Sequence, residues 1–168
     1  MDHYRMFAAY NAWANTLLYE AAADLTDEER DRDTGAFFRS LSGTLNHLVT
    51  ADRVWLHRFT GQGPQPTSLD ARAADTFADL WAARRTEDAR ITAFAEGLTP
   101  EALAATFHYS PITKPEPVSH KLGPAVAHFF NHQTHHRGQA HMCLTVLGRP
   151  SLSLDMIYFL RSAAPVYL

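Results

Sequence analysis

Apolar positions recur with helical spacing in four long stretches of the chain. Over residues 3–23, Met6, Phe7, Tyr10, Trp13, Ala14, Leu17, Leu18 and Ala21 fall on one side of a helix. The segment TDEERDRDTG, residues 26–35, is polar and ends in glycine, so it reads as a connection. A second stripe of Leu41, Leu45, Leu48, Trp55 and Phe59 predicts a helix that begins near Ser40 and stops at GQGPQP, residues 61–66. A third helix spans roughly 73–98, with Phe77, Trp81, Ile91, Phe94 and Leu98 inward. Its charges, Arg84, Arg85, Glu87, Asp88 and Arg90, are expected to form a solvated face.

Prolines at 111, 115 and 117 exclude a continuous helix in the next stretch. Thr106-Phe-His-Tyr and Val118-Ser-His flank those prolines and could pair as a short hairpin. A fourth helix runs from about Pro124, suited to a first turn, to Leu147, with Gly148 as the residue that ends it. Beyond Arg149-Pro150, LDMIYFLRSA predicts a short terminal helix. The expectation is an all-α fold, one four-helix-bundle domain over residues 1–168, with a long crossover at 99–123 before the last long helix.

Composition narrows the function classes. The 168 residues are 46% hydrophobic with a formal net charge of −3, and no basic block offers a nucleic-acid footprint. No uncharged apolar run approaches the roughly 18 residues that a membrane span needs. The opening MDHYRMFAAYNAWAN lacks a basic region followed by an apolar one, so a cytoplasmic protein is expected. Cys143 is the one cysteine, which fits a reducing compartment and reads as a core residue. There is no glycine-rich phosphate loop and no nucleophile elbow; Gly61-Gln-Gly63 reads as a turn.

The anomaly is histidine. The chain has ten, and five lie between 128 and 141. Within the fourth helix, Phe129, His132, His136, Ala140, Cys143 and Leu147 form one apolar stripe. His132 and His136 are therefore about 40° and roughly 6 Å apart on the seam that faces the other helices. Two imidazoles so placed can reach one transition-metal ion. Spacing alone leaves three pairs, 128/132, 132/135 and 132/136, and the stripe favours the last. His128 is about 12 Å along the axis from His136, too far for one ion to take both. A third ligand should come from another helix, and His47, beside Leu48, Ala51 and Val54, is the best placed.

Four segments carry a family resemblance across almost the whole chain. Tyr10-Asn-Ala-Trp-Ala-Asn15, Asn46-His47 with Ala51-Asp52 and Trp55-Leu56, His132-Gln-Thr-His-His136-Arg-Gly-Gln139, and Ser153-Leu-Asp-Met-Ile-Tyr158 resemble the motifs of the DinB/YfiT-like (damage-inducible DinB-like) family. The resemblance implies a four-helix bundle, often dimeric, with a metal at one end of its core. It implies His47, His132 and His136 as the ligands of one divalent ion. Characterised relatives include thiol-dependent S-transferases and an isomerase that use small cellular thiols.

Three neutral imidazoles leave a divalent ion its charge and an open position, the pattern of a catalytic site. Zinc and nickel both suit it. The leading expectation is a small-thiol-dependent S-transferase acting on a small-molecule substrate, with the low-molecular-weight thiol activated at the metal. A hydrolase using metal-bound hydroxide is the alternative, and a non-catalytic metal-binding stress-response protein is a third. Around the ligands, Asp52 lies on the inward stripe and is a candidate to orient an imidazole or to pair with Arg137. Gln139, Asn131 and Arg137 are further candidates, and Gly138 is expected to permit close helix packing.

Overall fold

The computed structural model describes residues 2–114 and 116–167. Helix α1 (Asp2–Ala23) is followed by α2 (Asp27–Asp31), α3 (Leu41–Thr60), α4 (Phe77–Glu96) and α5 (Pro100–Ala104). Strands β1 (Thr106–Tyr109) and β2 (Val118–Lys121) then pair antiparallel, with Thr106 opposite Lys121 and Tyr109 opposite Val118. Helix α6 (Leu122–Val146) and the short α7 (Met156–Ser162) complete the main elements. The fold is all-α apart from this hairpin, which lies in the crossover as the sequence predicts.

The helix boundaries follow local chemistry. Ser40 caps α3 by accepting from the amide of Gly43, and Gly61, at φ 69°, ends it in the left-handed conformation that glycine adopts without strain. Thr76 caps α4 by accepting from Asp79, so the helix starts at Phe77 rather than near 73. Helix α6 begins two residues before Pro124, which sits in the first turn, where its missing N–H breaks no helical bond. The polar stretch at 26–35 is not only a connection. It holds α2, nucleated by a capping box in which Thr26 and Glu29 each satisfy the other's backbone amide.

Helices α1 and α3 each pack against both α4 and α6, which gives the four-helix bundle. Its core consists of two apolar clusters. One gathers Leu18, Leu41, Leu45, Leu48, Leu80, Ala140 and Leu144. The other gathers Ala8, Trp55, Leu56, Ile91, Val126, Phe129 and Phe130. Their pairing shows α3 and α6 antiparallel, since early α3 residues meet late α6 residues and the reverse. Helix α7 lays Phe159 against Tyr10 and Trp13 of α1.

Between the two clusters every long helix contributes buried polar groups: Asn11 and Asn15, Asp52, Arg84 and Glu87, and Gln133 and Arg137. This corrects the expected solvated face of α4. Arg84 is 2% exposed and Glu87 1%. Arg84 pairs with Asp52 at 2.6 Å and with Asp88 at 3.1 Å, while Glu87 takes Arg53 at 3.1 Å and Arg90 at 2.5 Å. Buried charges persist when paired or hydrogen-bonded: Arg84 and Glu87 have counter-charges, while Arg137 donates to neutral groups.

Candidate metal centre

His47 sits in the first half of α3, and His132 and His136 in the middle of α6. Because the two helices run antiparallel, the three rings meet in the groove between them. Ring centroids are 5.4 Å apart for His47 and His132, 4.5 Å for His47 and His136, and 4.3 Å for His132 and His136. One nitrogen from each ring lies within 4.8 Å of the others. An ion bonded at about 2.0–2.1 Å holds its ligands roughly 3.3 Å apart, so modest ring rotations close the site. His132 and His136 flank Gln133 of the polar layer, while His47 lies between Leu45 and Leu48 of the first apolar cluster.

The surroundings favour neutral, correctly oriented imidazoles. Burial pushes the His47 pKa down to about 4 and the His132 pKa to about 3, and neighbouring histidines add to both effects. Burial also lowers His136. All three are therefore unprotonated near neutral pH, as ligands must be. His47 Nδ1 lies 3.2 Å from the carbonyl oxygen of Leu69. A carbonyl only accepts, so Nδ1 carries the proton and Nε2 presents a lone pair. That Nε2 is buried and has no hydrogen-bond partner among the described residues. An orphaned buried acceptor costs free energy unless something fills its place, and a metal ion fits this donor set. His136 Nδ1 in the same way donates to Oε1 of Gln139 at 2.7 Å. Phe38 lies flat on the His47 ring, 3.9 Å between centroids and 20° between planes.

The rings open onto a cavity of about 610 Å³ whose walls include Phe37, Phe38, Leu69 and Ile112. Much of this wall comes from loops. Residues 69–74 are tied to α3 by its polar face: Asn46 accepts from the amides of Ala73 and Ala74, Thr50 donates to Ala71 and Arg53 donates to Ala73. None of these contacts, nor the Phe38 stack, has a periodic signature in the sequence. Asn46, Thr50 and Arg53, polar residues inside α3, are the legible clues.

The other candidates fall out differently. Asp52 touches no histidine and does not pair with Arg137; it receives Arg84 at 2.6 Å and Nε2 of Gln133 at 2.8 Å. It acts on the site through the helices it joins. Arg137 donates to Asn11 and to Thr134, with its guanidinium 5.1 Å from the centre of the Tyr10 ring. Gln139 is the one candidate in direct contact with a clustered histidine. His128 packs edge-on against Trp55, and His135 and Asn131 are exposed. Gly138 faces open space, so close helix packing is not its role. Cys143 is fully buried, as expected.

The fold and site thus define a helical-bundle protein with a three-histidine cluster able to hold one metal ion. A family model described as the DinB family matches residues 1–166, and the chain belongs to that family. No curated protein matches the chain. No helix among the described residues is long and apolar enough to cross a membrane.

Proposed function

We propose that the protein is a divalent-metal-dependent enzyme that transfers a small thiol onto an organic electrophile. The observation that carries this reading is the convergence of three neutral imidazoles at the wall of a largely apolar cavity. His47, His132 and His136 would hold the ion, zinc or nickel, and among the described residues no fourth histidine, cysteine or carboxylate joins the group. An ion so held would keep an open position and its full charge, and would supply the acidification of a thiol. The protein supplies the rest. Leu69 and Gln139 hold the rings in the tautomers that face one another, and Phe38 keeps His47 from turning. The apolar walls of Leu69 and Ile112 would hold the electrophile beside the cluster. In the reaction the thiol gives its proton to solvent, its sulfur bonds to the electrophilic carbon, and the leaving group departs with its electron pair.

The test is elemental analysis of protein purified without an affinity tag for metals, followed by incubation of the metal-loaded protein with thiols and electrophiles. Metal-dependent loss of free thiol is expected. Turnover of the electrophile without thiol consumption would move the assignment to hydrolysis. Failure of any activity in a protein that still binds one ion per chain would leave a non-catalytic metal protein. A homodimer is part of the same reading, and light scattering at micromolar concentration checks it. Phe37, 80% exposed, is one aromatic ring that such a contact would cover, whereas Trp81 and Phe94 already pack on Tyr19 and Phe59.

A further inference from the structure

Along α3, His47, Ala51, Val54 and Arg58 are spaced four, three and four residues apart, and so share one face of the helix. This face continues the groove away from the histidines. A cavity of about 200 Å³ shares His47, His132, Leu69 and Ile112 with the larger one and reaches Arg58 and Tyr109. A third, of about 360 Å³, continues past Arg58 to Ser110. The three form one track, with the histidines where the first two cavities meet and Arg58 where the last two meet.

Arg58 is held in an unusual way. Its guanidinium carbon is 4.8 Å from the centre of the Trp55 ring and 4.7 Å from that of Tyr109. Its single hydrogen bond among the described residues goes from Nη2 to the carbonyl of Ser110 at 3.2 Å. No carboxylate lines either cavity at this end. The other half-buried or buried arginines of α3 and α4, Arg53, Arg84 and Arg90, all have acidic partners. A guanidinium stacked on two rings keeps its edge N–H groups available in one plane, the arrangement that receives a carboxylate through two parallel bonds. Partial burial of the positive charge raises the value of a counter-charge there.

We propose that Arg58 is the anchor for a carboxylate on the ligand whose other end reaches the three histidines. This rests on the reading of the histidine cluster as the reactive end. Arg58 is three turns, about 16 Å, along the axis from His47, and helical side chains lean toward the N-terminus, so Arg58 reaches back toward the cluster. The ligand that fits is an extended molecule with an apolar middle, set against Val54 and Ile112, and a carboxylate on the order of 10 Å from its reacting atom. The carboxylate belongs either to the thiol or to the electrophile.

Equilibrium binding to the zinc-loaded protein, by calorimetry, tests this with mercaptoalkanoates of increasing chain length, the matching mercaptoalkanols, and plain alkanoates. The acids are expected to bind about ten- to a hundredfold more tightly than the alcohols. In Arg58→Gln that advantage should vanish while mercaptoalkanol binding is unchanged; Arg58→Lys should keep part of it. If the mercaptoalkanoates show an optimum length and exceed both other series, the carboxylate belongs to the thiol. If plain alkanoates bind equally well and alongside a mercaptoalkanol, it belongs to the electrophile. Equal binding of acids and alcohols to the wild type, or an acid preference untouched in Arg58→Gln, overturns the proposal. Arg58-dependent binding of alkanoates with no binding of any thiol would retain the anchor and sink the thiol reading instead.

Discussion

Gln133 of α6 donates to Asp52 of α3 at 2.8 Å, deep in the bundle, and each of the two is the neighbour of site-bearing sequence: Gln133 follows His132, and Asp52 lies five residues after His47. The bond fixes the height of one helix against the other. The other oxygen of Asp52 takes Arg84 of α4, so three helices meet at one carboxylate. Burial raises the Asp52 pKa, and the Arg84 guanidinium opposes that rise.

Removing that carboxylate should be costly. Asp52→Ala leaves Arg84 buried with Asp88 as its remaining partner, and breaking a buried pair costs about 3–5 kcal/mol. The surviving Asp88 contact puts the expected loss near the lower figure. Denaturant titration measures it, and a loss below about 1 kcal/mol would show that the layer is far less constrained than its burial indicates.

Gln139→Ala should weaken metal binding without comparable loss of stability. The variant frees Nδ1 of His136 and lets its ring choose either tautomer. Partners of this kind contribute about 10–100-fold to metal affinity. Competition with a chromophoric chelator measures the change, and an unaltered affinity would remove Gln139 from the site.

His136→Ala should abolish most metal binding yet cost less stability than Leu48→Ala, for which about 2–5 kcal/mol is expected. Leu48 is fully enclosed in the apolar cluster, whereas His136 borders an open cavity. Thermal melts with and without chelator decide the wider question. If stripping the ion unfolds the wild type, the ion is structural and the catalytic reading loses its basis.

The metal-free fold should weaken on acidification. His47 and His132 are pushed down to about 4 and about 3 by burial, while in the unfolded chain they titrate near 6.5. Between those values the unfolded chain binds more protons. Stability is therefore full above about pH 6.5 and falls as the pH drops toward the folded values. Denaturation midpoints of the wild type and of a His47→Gln, His132→Gln double variant, taken from about pH 7.5 to 5, check the sign. Parallel curves would refute it.

What the sequence revealed had a short range. The four helices were legible because their stripes are periodic and their ends carry Ser40, Gly61 and Gly148. His132 and His136 were legible because their relationship lies within one helix. The charges of α4 were misread because Arg84, Glu87 and Asp88 have the spacing of a surface helix. Arg84 and Glu87 pair with Asp52 and Arg53, more than thirty residues earlier on α3, and Asp88 accepts from Asn11 and Asn15 of α1. The loop contacts were invisible for another reason: Leu69 acts through its carbonyl, a group every residue carries.

That carbonyl would couple the loop to any ion the cluster holds. The same imidazole that offers one nitrogen to the cluster gives its other N–H to Leu69. If the loop lifts, the ring is released and the lone pair loses its aim; if the lone pair is engaged, the ring is fixed and the loop gains a stationary partner. By reciprocity, whatever free energy loop closure adds to metal affinity, the metal returns to loop closure. A segment of the chain with no helix, no strand and no sequence period would thereby become the gauge of whether the centre is filled.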